Sequence, residues 1–510
     1  MNEDNQLKQS QVFDTWEKLE KLIKTKESFI ALLIVFISFA YIPLKILSLG
    51  WYPSDDALRH VAFSTIDAKW SDIVVIEEKY GLDKNKGWHQ ILKFLYKYCN
   101  LEKEHLLFFS VCSLFLLFNL CGIICSPSPV CWCAALLLLL NIEGNYIAQR
   151  IILGKPFIFS CAVTLILLRL WCVNATESNK NIILKNNWAR YLISVFLLSL
   201  SVWIHGNWYL FMLIPLSILI SGKAKKAFEL TFCLFISVLI GALLSGDFYN
   251  FLYYHFFVTF NIFNEHTHNW LLGLEFASGL QEFYWIIFVC IIIIFCIYKN
   301  QEKLDDLTND PIFIMVLLCW MGSILVFRFW LDCGLITLLL WLSYKFNEII
   351  KSSDFLKIPR VRYCLFLFII VCLVLGFISD TNGRYTKIMM IQPIDFHNET
   401  TQKELKGWEP EDGGIIYTTS MRCFYLHFYQ YPTSKWKYIL GFDPAIMKLE
   451  DKQVLRNTVY SGFEEDYAPW INKMTEKDRF ILDKCLKSFP QLEWTRGNRT
   501  WWIGRLKKKF

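Results

Sequence analysis

Charge is scarce in this chain. Of its 510 residues 19% are Asp, Glu, Lys or Arg, against about a quarter in ordinary soluble proteins. Clustered basic residues are also lacking: the Lys and Arg behind the net charge of +6 are scattered through loops and tail, so nucleic acid has no support as a partner. No CxxC pair with metal spacing occurs among the 17 cysteines. Most stand inside apolar runs (Cys121, Cys233, Cys290, Cys296, Cys319), where a free thiol behaves as a small hydrophobe. Cys131-Trp132-Cys133 reads the same way, as core rather than ligand. Internal repeats and low-complexity tracts are not visible. A cleavable signal peptide is not expected either, because polar residues 1–28 precede the first apolar run and no small-residue cleavage site follows it.

What the sequence has in quantity is apolar length. Hydrophobic residues make up 55% of it, and the mean hydropathy is +0.34. Disordered, fibrous and small disulfide-scaffold classes are excluded, and a polytopic membrane protein is expected. A bilayer core takes about 20 apolar residues. The runs predict eleven transmembrane helices, near 29–49, 106–125, 130–142, 156–173, 189–205, 207–221, 227–245, 281–298, 311–327, 329–345 and 362–379. Lys8, Lys18, Lys21, Lys24 and Lys26 place the N-terminal segment 1–28 in the cytoplasm by the positive-inside rule. Loops 174–188, 222–226 and 346–361 then fall inside and are basic, whereas the outside loop 246–280 has no Lys or Arg. The first outer loop, 50–105, carries lysines, but long loops cross largely regardless of charge. The 130–142 run, the shortest, is the weak point of this count.

Beyond the transmembrane core, 29–379, the composition turns polar. Residues 380–510 predict an extracytoplasmic α/β domain, with strands at 415–419 and 437–441, a helix at 474–488 and a closing pair of strands within 493–506. Cys423 and Cys485 both fall there, where an oxidising compartment would permit a bridge. So do the sequons Asn398-Glu399-Thr400 and Asn498-Arg499-Thr500, which matter only in a glycosylating secretory pathway.

The most informative stretch is Ser54-Asp55-Asp56-Ala57-Leu58-Arg59-His60, just past the first span. Ser54 is expected to cap a helix whose first turn holds Asp55 and Asp56, with Arg59 and His60 one turn on. Acids at a helix N-terminus can be mere dipole partners, worth about 0.3–1 kcal/mol. One acid suffices for that, and two acids with Arg and His beside a membrane read equally well as a site. Other polar breaks face the same side: Arg150 and Lys155, His205, Glu265-His266-Thr267-His268, and Arg328 with Asp332. A lone Lys155 can snorkel, interfacial His and Trp belong to the aromatic belt, and Arg328 can simply pair with Asp332 at i, i+4. Ionisable groups in apolar segments are nonetheless costly and usually functional. His266 and His268 form a weak metal signal without a third ligand.

This set suits sugar transfer. A carboxylate at the membrane surface can take the proton of an attacking hydroxyl, and Arg59, Arg150, Lys155 and Arg328 can stabilise a departing phosphate. His60, His205 and His266 can bind phosphate or sugar. Retaining hydrolysis is disfavoured, since adjacent acids on one helix turn are expected to point apart.

The Ser54–Arg59 motif, the loop ending Gly87-Trp88-His89-Gln90, the many spans, and Ile415–Thr419 followed by Tyr438–Pro444 in the tail resemble the GT-C superfamily of membrane glycosyltransferases, in its bacterial form. The resemblance implies an inverting transferase that moves a sugar from a polyprenyl-phosphate donor to a glycan, lipid or protein acceptor of the cell envelope. It implies Asp55 or Asp56 as base, with Asp55 favoured, and no certain cofactor, a divalent cation (Mg or Mn) being compatible. The second acidic motif of the family has only Glu143 and Glu265 as heirs. Trp501-Trp502 is followed by Ile503, so the acceptor motif of oligosaccharyltransferases is absent. A bacterial inner membrane is the expected location, ahead of the endoplasmic reticulum. Alternatives are a polysaccharide polymerase or ligase, a transporter or flippase, and a scaffold that has lost catalysis.

Overall fold

A computed structural model describes residues 29–76, 81–143, 150–173, 187–255, 289–294, 298, 307–379, 385–387, 392–397 and 404–507. The apolar runs are helical, which lets every backbone N–H and C=O find its partner within the segment. In chain order they are α1 (Phe29–Ser48), then in the first loop β1 (Trp51–Pro53), α2 (Asp56–Ser64), α3 (Trp70–Ile73) and α4 (Lys86–Tyr98). There follow α5 (Lys103–Cys125), α6 (Pro129–Glu143), α7 (Phe157–Trp171), α8 (Asn187–His205), α9 (Leu213–Ile220), α10 (Ala224–Leu244), α11 (Pro311–Leu325), α12 (Leu335–Ser352) and α13 (Pro359–Ser379).

Six helices among the described residues are long and apolar enough to cross a membrane: Phe29–Ser48, Lys103–Cys125, Asn187–His205, Ala224–Leu244, Trp330–Ser352 and Pro359–Ser379. Four further apolar helices are shorter: Pro129–Ile142, Phe157–Trp171, Trp208–Ile220 and Pro311–Leu325. Most of the predicted span 281–298 lies outside the described residues. Two expected spans start irregularly. A 3-10 turn at Trp208–Met212 precedes α9, and a π turn at Trp330–Gly334 leads into α12. The outward faces are apolar: Trp188, Leu192 and Phe196 on α8, and Phe228, Phe232 and Phe235 on α10, are exposed at one-turn spacing. That pattern suits lipid, not water. Inside, α8 packs on α10, where Gly241 leaves room for Val202 that a Cβ, 2.4 Å from it, would take away.

The first loop is tied to the tail. β1 pairs antiparallel with β2 (Tyr385–Lys387), Tyr52 opposite Thr386. The Val75 N–H donates to the Tyr438 carbonyl at 2.9 Å. The C-terminal domain is built on β3 (Ile415–Tyr417), α14 (Met421–Gln430), β4 (Lys437–Tyr438), α15 (Leu449–Ser461), β5 (Arg479–Leu482), β6 (Leu492–Arg496) and β7 (Trp502–Leu506). Its sheet runs β4-β3-β5-β7-β6, with β3 parallel to β4 and β5, and β7 antiparallel to β5 and β6.

One expectation fails in this domain. The helix expected at 474–488 is replaced by β5, the central strand. Arg479-Phe480-Ile481-Leu482 is buried throughout, and a short strand covered on both faces has no alternation to separate it from a helical run. Cys423 and Cys485 are free thiols. Cys423 is buried on α14 against His427, its thiol pushed up to about 12 by burial.

Candidate functional site

The site begins at the N-terminus of α2, and the cap differs from the sequence expectation. Asp55, not Ser54, is the N-cap: its backbone is extended (φ −140°, ψ −163°) and its carboxylate accepts the Asp56 N–H at 2.6 Å. Asp56 alone begins the helix. This break in backbone direction also overturns the expectation that the two acids diverge. Lys155, buried at the entry to α7, places its Nζ 3.1 Å from Asp55 Oδ1 and 3.2 Å from Asp56 Oδ2. It is therefore not a snorkelling lysine.

Arg59, one turn on, donates through Nε to Asp56 Oδ1 at 2.8 Å. Its guanidinium lies over the ring of Phe442 (4.2 Å), a residue of the C-terminal domain. Burial alone would raise the Asp56 carboxyl, but Arg59, Lys155 and the Arg59 hydrogen bond outweigh it and hold it well below the usual carboxylate range. Burial, with Arg59 and His89 beside it, holds His60 well below its ordinary value and so uncharged. Its Nδ1 is 2.7 Å from His89 Nε2.

A second polar cluster lies alongside. Asp332, in the π turn before α12, accepts from Arg150 on one oxygen and from Arg328 Nε on the other at 2.7 Å. The i, i+4 pair is thus present, with Arg150 as a further partner from far along the chain. Arg150 also lies 4.5 Å over Phe157. His205, at the end of α8, meets the Ser160 hydroxyl at 3.3 Å and the Asn207 amide at 3.4 Å. Between them Gly206 adopts φ +69° and packs on His255, a place only glycine fills without strain.

These residues open on one cavity of about 490 Å³. Asp55, Asp56, Arg59, His60, Arg150, Lys155, His205 and Arg328 all line it. His266, with Glu265 and His268, lies outside the described residues, and so does the side chain of Glu143. Sequence reasoning missed the contributors from elsewhere: Lys84 of the first loop, and Arg422, Tyr425, Phe442 and Asp443 of the C-terminal domain. Lys84 Nζ lies 3.9 Å from Asp443, and burial followed by the charges of Asp56 and Asp55 pushes the Tyr425 phenol well above its usual range. His89 and Asp443 stood in stretches that drew notice, but nothing in their spacing marked a role.

Six cationic side chains (Arg59, Lys84, Arg150, Lys155, Arg328, Arg422) thus face three carboxylates (Asp55, Asp56, Asp443) in a partly enclosed space. Even counting Asp332 just behind, the balance is positive, and the cavity suits an anionic group. A Mg or Mn ion does not fit the acidic pair, because the Lys155 ammonium already bridges the two carboxylates where a shared ion would sit. Among the described residues no group of three or more His, Cys, Asp or Glu is placed to hold a metal. Comparison with protein-family models and with characterised proteins finds no match to this chain.

Proposed function

We propose that this protein is a membrane glycosyltransferase that takes a sugar from a polyprenyl-phosphate donor to a cell-envelope acceptor, working at the outer face of a bacterial inner membrane. The observation that carries this reading is the cavity: a Lys-bridged pair of aspartates ringed by cations, beside the membrane core. In the reaction, Asp55 takes the proton of the acceptor hydroxyl as its oxygen attacks the anomeric carbon. The bond from that carbon to the phosphate oxygen breaks with inversion, and polyprenyl phosphate leaves with the electron pair. Arg59, Arg150, Arg328 and Arg422 surround the space in which the phosphate charge develops. Asp56, tied to Arg59, stays ionised as a structural partner, and the base role is assigned to Asp55, which leads the motif.

The topology belongs to the same reading. The pairing of β1 with β2 supports a reading in which the first loop and the C-terminal domain share one side of the membrane. That reading needs an even number of crossings between them. Nine apolar helices are described in between, and a crossing by 281–298 makes ten, eleven with α1.

The test compares a deletion strain rescued by wild type or by Asp55→Asn, with envelope glycans and the polyprenyl-phosphate-sugar pool read by mass spectrometry. One sugar is expected to vanish from a glycan in the deletion while its lipid donor accumulates. Asp55→Asn should fail to restore it despite normal expression, a loss of about 10²–10⁴ in rate for a missing general base. Full rescue by Asp55→Asn together with Asp56→Asn would reduce the acids to a helix cap and favour transport or a scaffold.

A further inference from the structure

His60 ends a chain of buried polar groups that the proposed reaction does not yet use. Asp83 Oδ2 lies 2.7 Å from His89 Nδ1, and His89 Nε2 lies 2.7 Å from His60 Nδ1. His60 and His89 are buried, and the ring of Phe63, stacked on Trp70 at 4.1 Å, packs on His89. Asp83 is the wetter end: it lines a second cavity of about 970 Å³ that shares no wall residue with the first.

With both imidazoles uncharged, these contacts allow one proton order. Burial would raise the Asp83 carboxyl, but His89, the Asn85 N–H and Arg59 outweigh it and keep it below the usual range, so it is ionised and only accepts. His89 Nδ1 therefore carries a proton. In the neutral ring Nε2 is bare and accepts the Nδ1–H of His60, and neutral His60 keeps Nε2 as its remaining acceptor. A bare imidazole nitrogen takes a hydrogen bond from a hydroxyl and offers nothing to an ionised phosphate.

We propose that Asp83 and His89 are positioning residues that lock His60 as a hydrogen-bond acceptor for a sugar hydroxyl, so that the sugar, and not the phosphate, of the ligand lies against His60. The assignment rests on the glycosyl-transfer reading and deepens it, separating a sugar-binding wall from the cations that receive phosphate.

The experiment uses full-length protein labelled with ¹⁵N-histidine, with the His60 and His89 signals among its nine histidines assigned by His60→Gln and His89→Gln. Both rings are expected to carry the proton on Nδ1. Polyprenyl-phosphate glucose should shift the His60 Nε2 signal toward that of a hydrogen-bonded acceptor, whereas polyprenyl phosphate alone leaves it in place. The isosteric Asp83→Asn, whose amide no longer dictates the tautomer, should populate both forms. It should weaken binding of the glucose-bearing lipid about tenfold, the worth of one good hydrogen bond, without weakening polyprenyl phosphate. A proton on His60 Nε2 in the wild type, or an equal shift with polyprenyl phosphate alone, overturns the proposal. If the hexose lipid shifts Nε2 but no sugar is ever transferred, the binding wall stands and the transferase reading falls.

Discussion

Lys155 bridges the two aspartates almost symmetrically, at 3.1 and 3.2 Å, and Arg59 binds Asp56. Two carboxylates this close repel, and without a shared cation one of them would take up a proton. Replacing the ammonium by a neutral amide, Lys155→Gln, should therefore cost about 10² or more in turnover, with Lys155→Arg less damaging because it restores the charge in a different shape. Steady-state transfer measured on the purified variants checks this, and equal activity in Lys155→Gln would remove the clamp from the mechanism. Asp332 illustrates a different residue-scale risk. It is buried with two arginines upon it, so Asp332→Asn leaves a buried cluster of positive charge. Breaking such a pair typically costs about 3–5 kcal/mol, and a clear fall in Tm of the detergent-purified protein is expected, whatever happens to activity.

At the level of elements, the short pairing of β1 with β2 sets the site's geometry. Three residues after α1 meet three residues after α13, and this holds α2 beneath α14, whose Tyr425 and neighbouring Arg422 close the cavity. A Tyr52→Cys/Thr386→Cys variant places thiols on directly opposed positions. It should cross-link under mild oxidation, detected as a joined tryptic peptide by mass spectrometry, and absence of the cross-link would break the same-side argument for the topology. The elements best foreseen were the long apolar helices and the strands at 415–417 and 492–506, where pattern and propensity agree. β5 was missed because a central strand is read from its neighbours, β3 and β7, and not from its own four residues.

Across the whole molecule, stability should depend on acid through buried histidines. His427 is fixed neutral by geometry: Nδ1 donates to the Cys423 carbonyl at 2.9 Å and Nε2 accepts the Ile394 N–H at 3.0 Å. Burial lowers it to about 4. The unfolded chain, with a histidine near 6.5, binds the proton first, so stability is unaffected above pH 6.5 and falls as pH drops toward 4. The fall amounts to roughly 3 kcal/mol for this group, with His60 adding in the same direction. Asp56 does not offset it, since its depressed carboxyl contributes stability that is lost only at still lower pH. Melting curves between pH 7 and 5 should show a falling Tm, reduced in His427→Gln, and a flat profile would contradict the neutral pairing. By itself the sequence determined the membrane class, the run of apolar helices, the polar tail and the acidic motif, because hydrophobic length and local spacing are properties of neighbouring residues. It also marked Arg150, Lys155, His205 and Arg328 as polar breaks worth weighing. Only the tertiary structure decided that these meet in one cavity, that Lys155 bridges both aspartates, that Asp83 and His89 stand behind His60, and that Arg422, Tyr425 and Asp443 complete the wall. Partners drawn from segments hundreds of residues apart are chosen by packing and charge in three dimensions, and local spacing carries no trace of that choice.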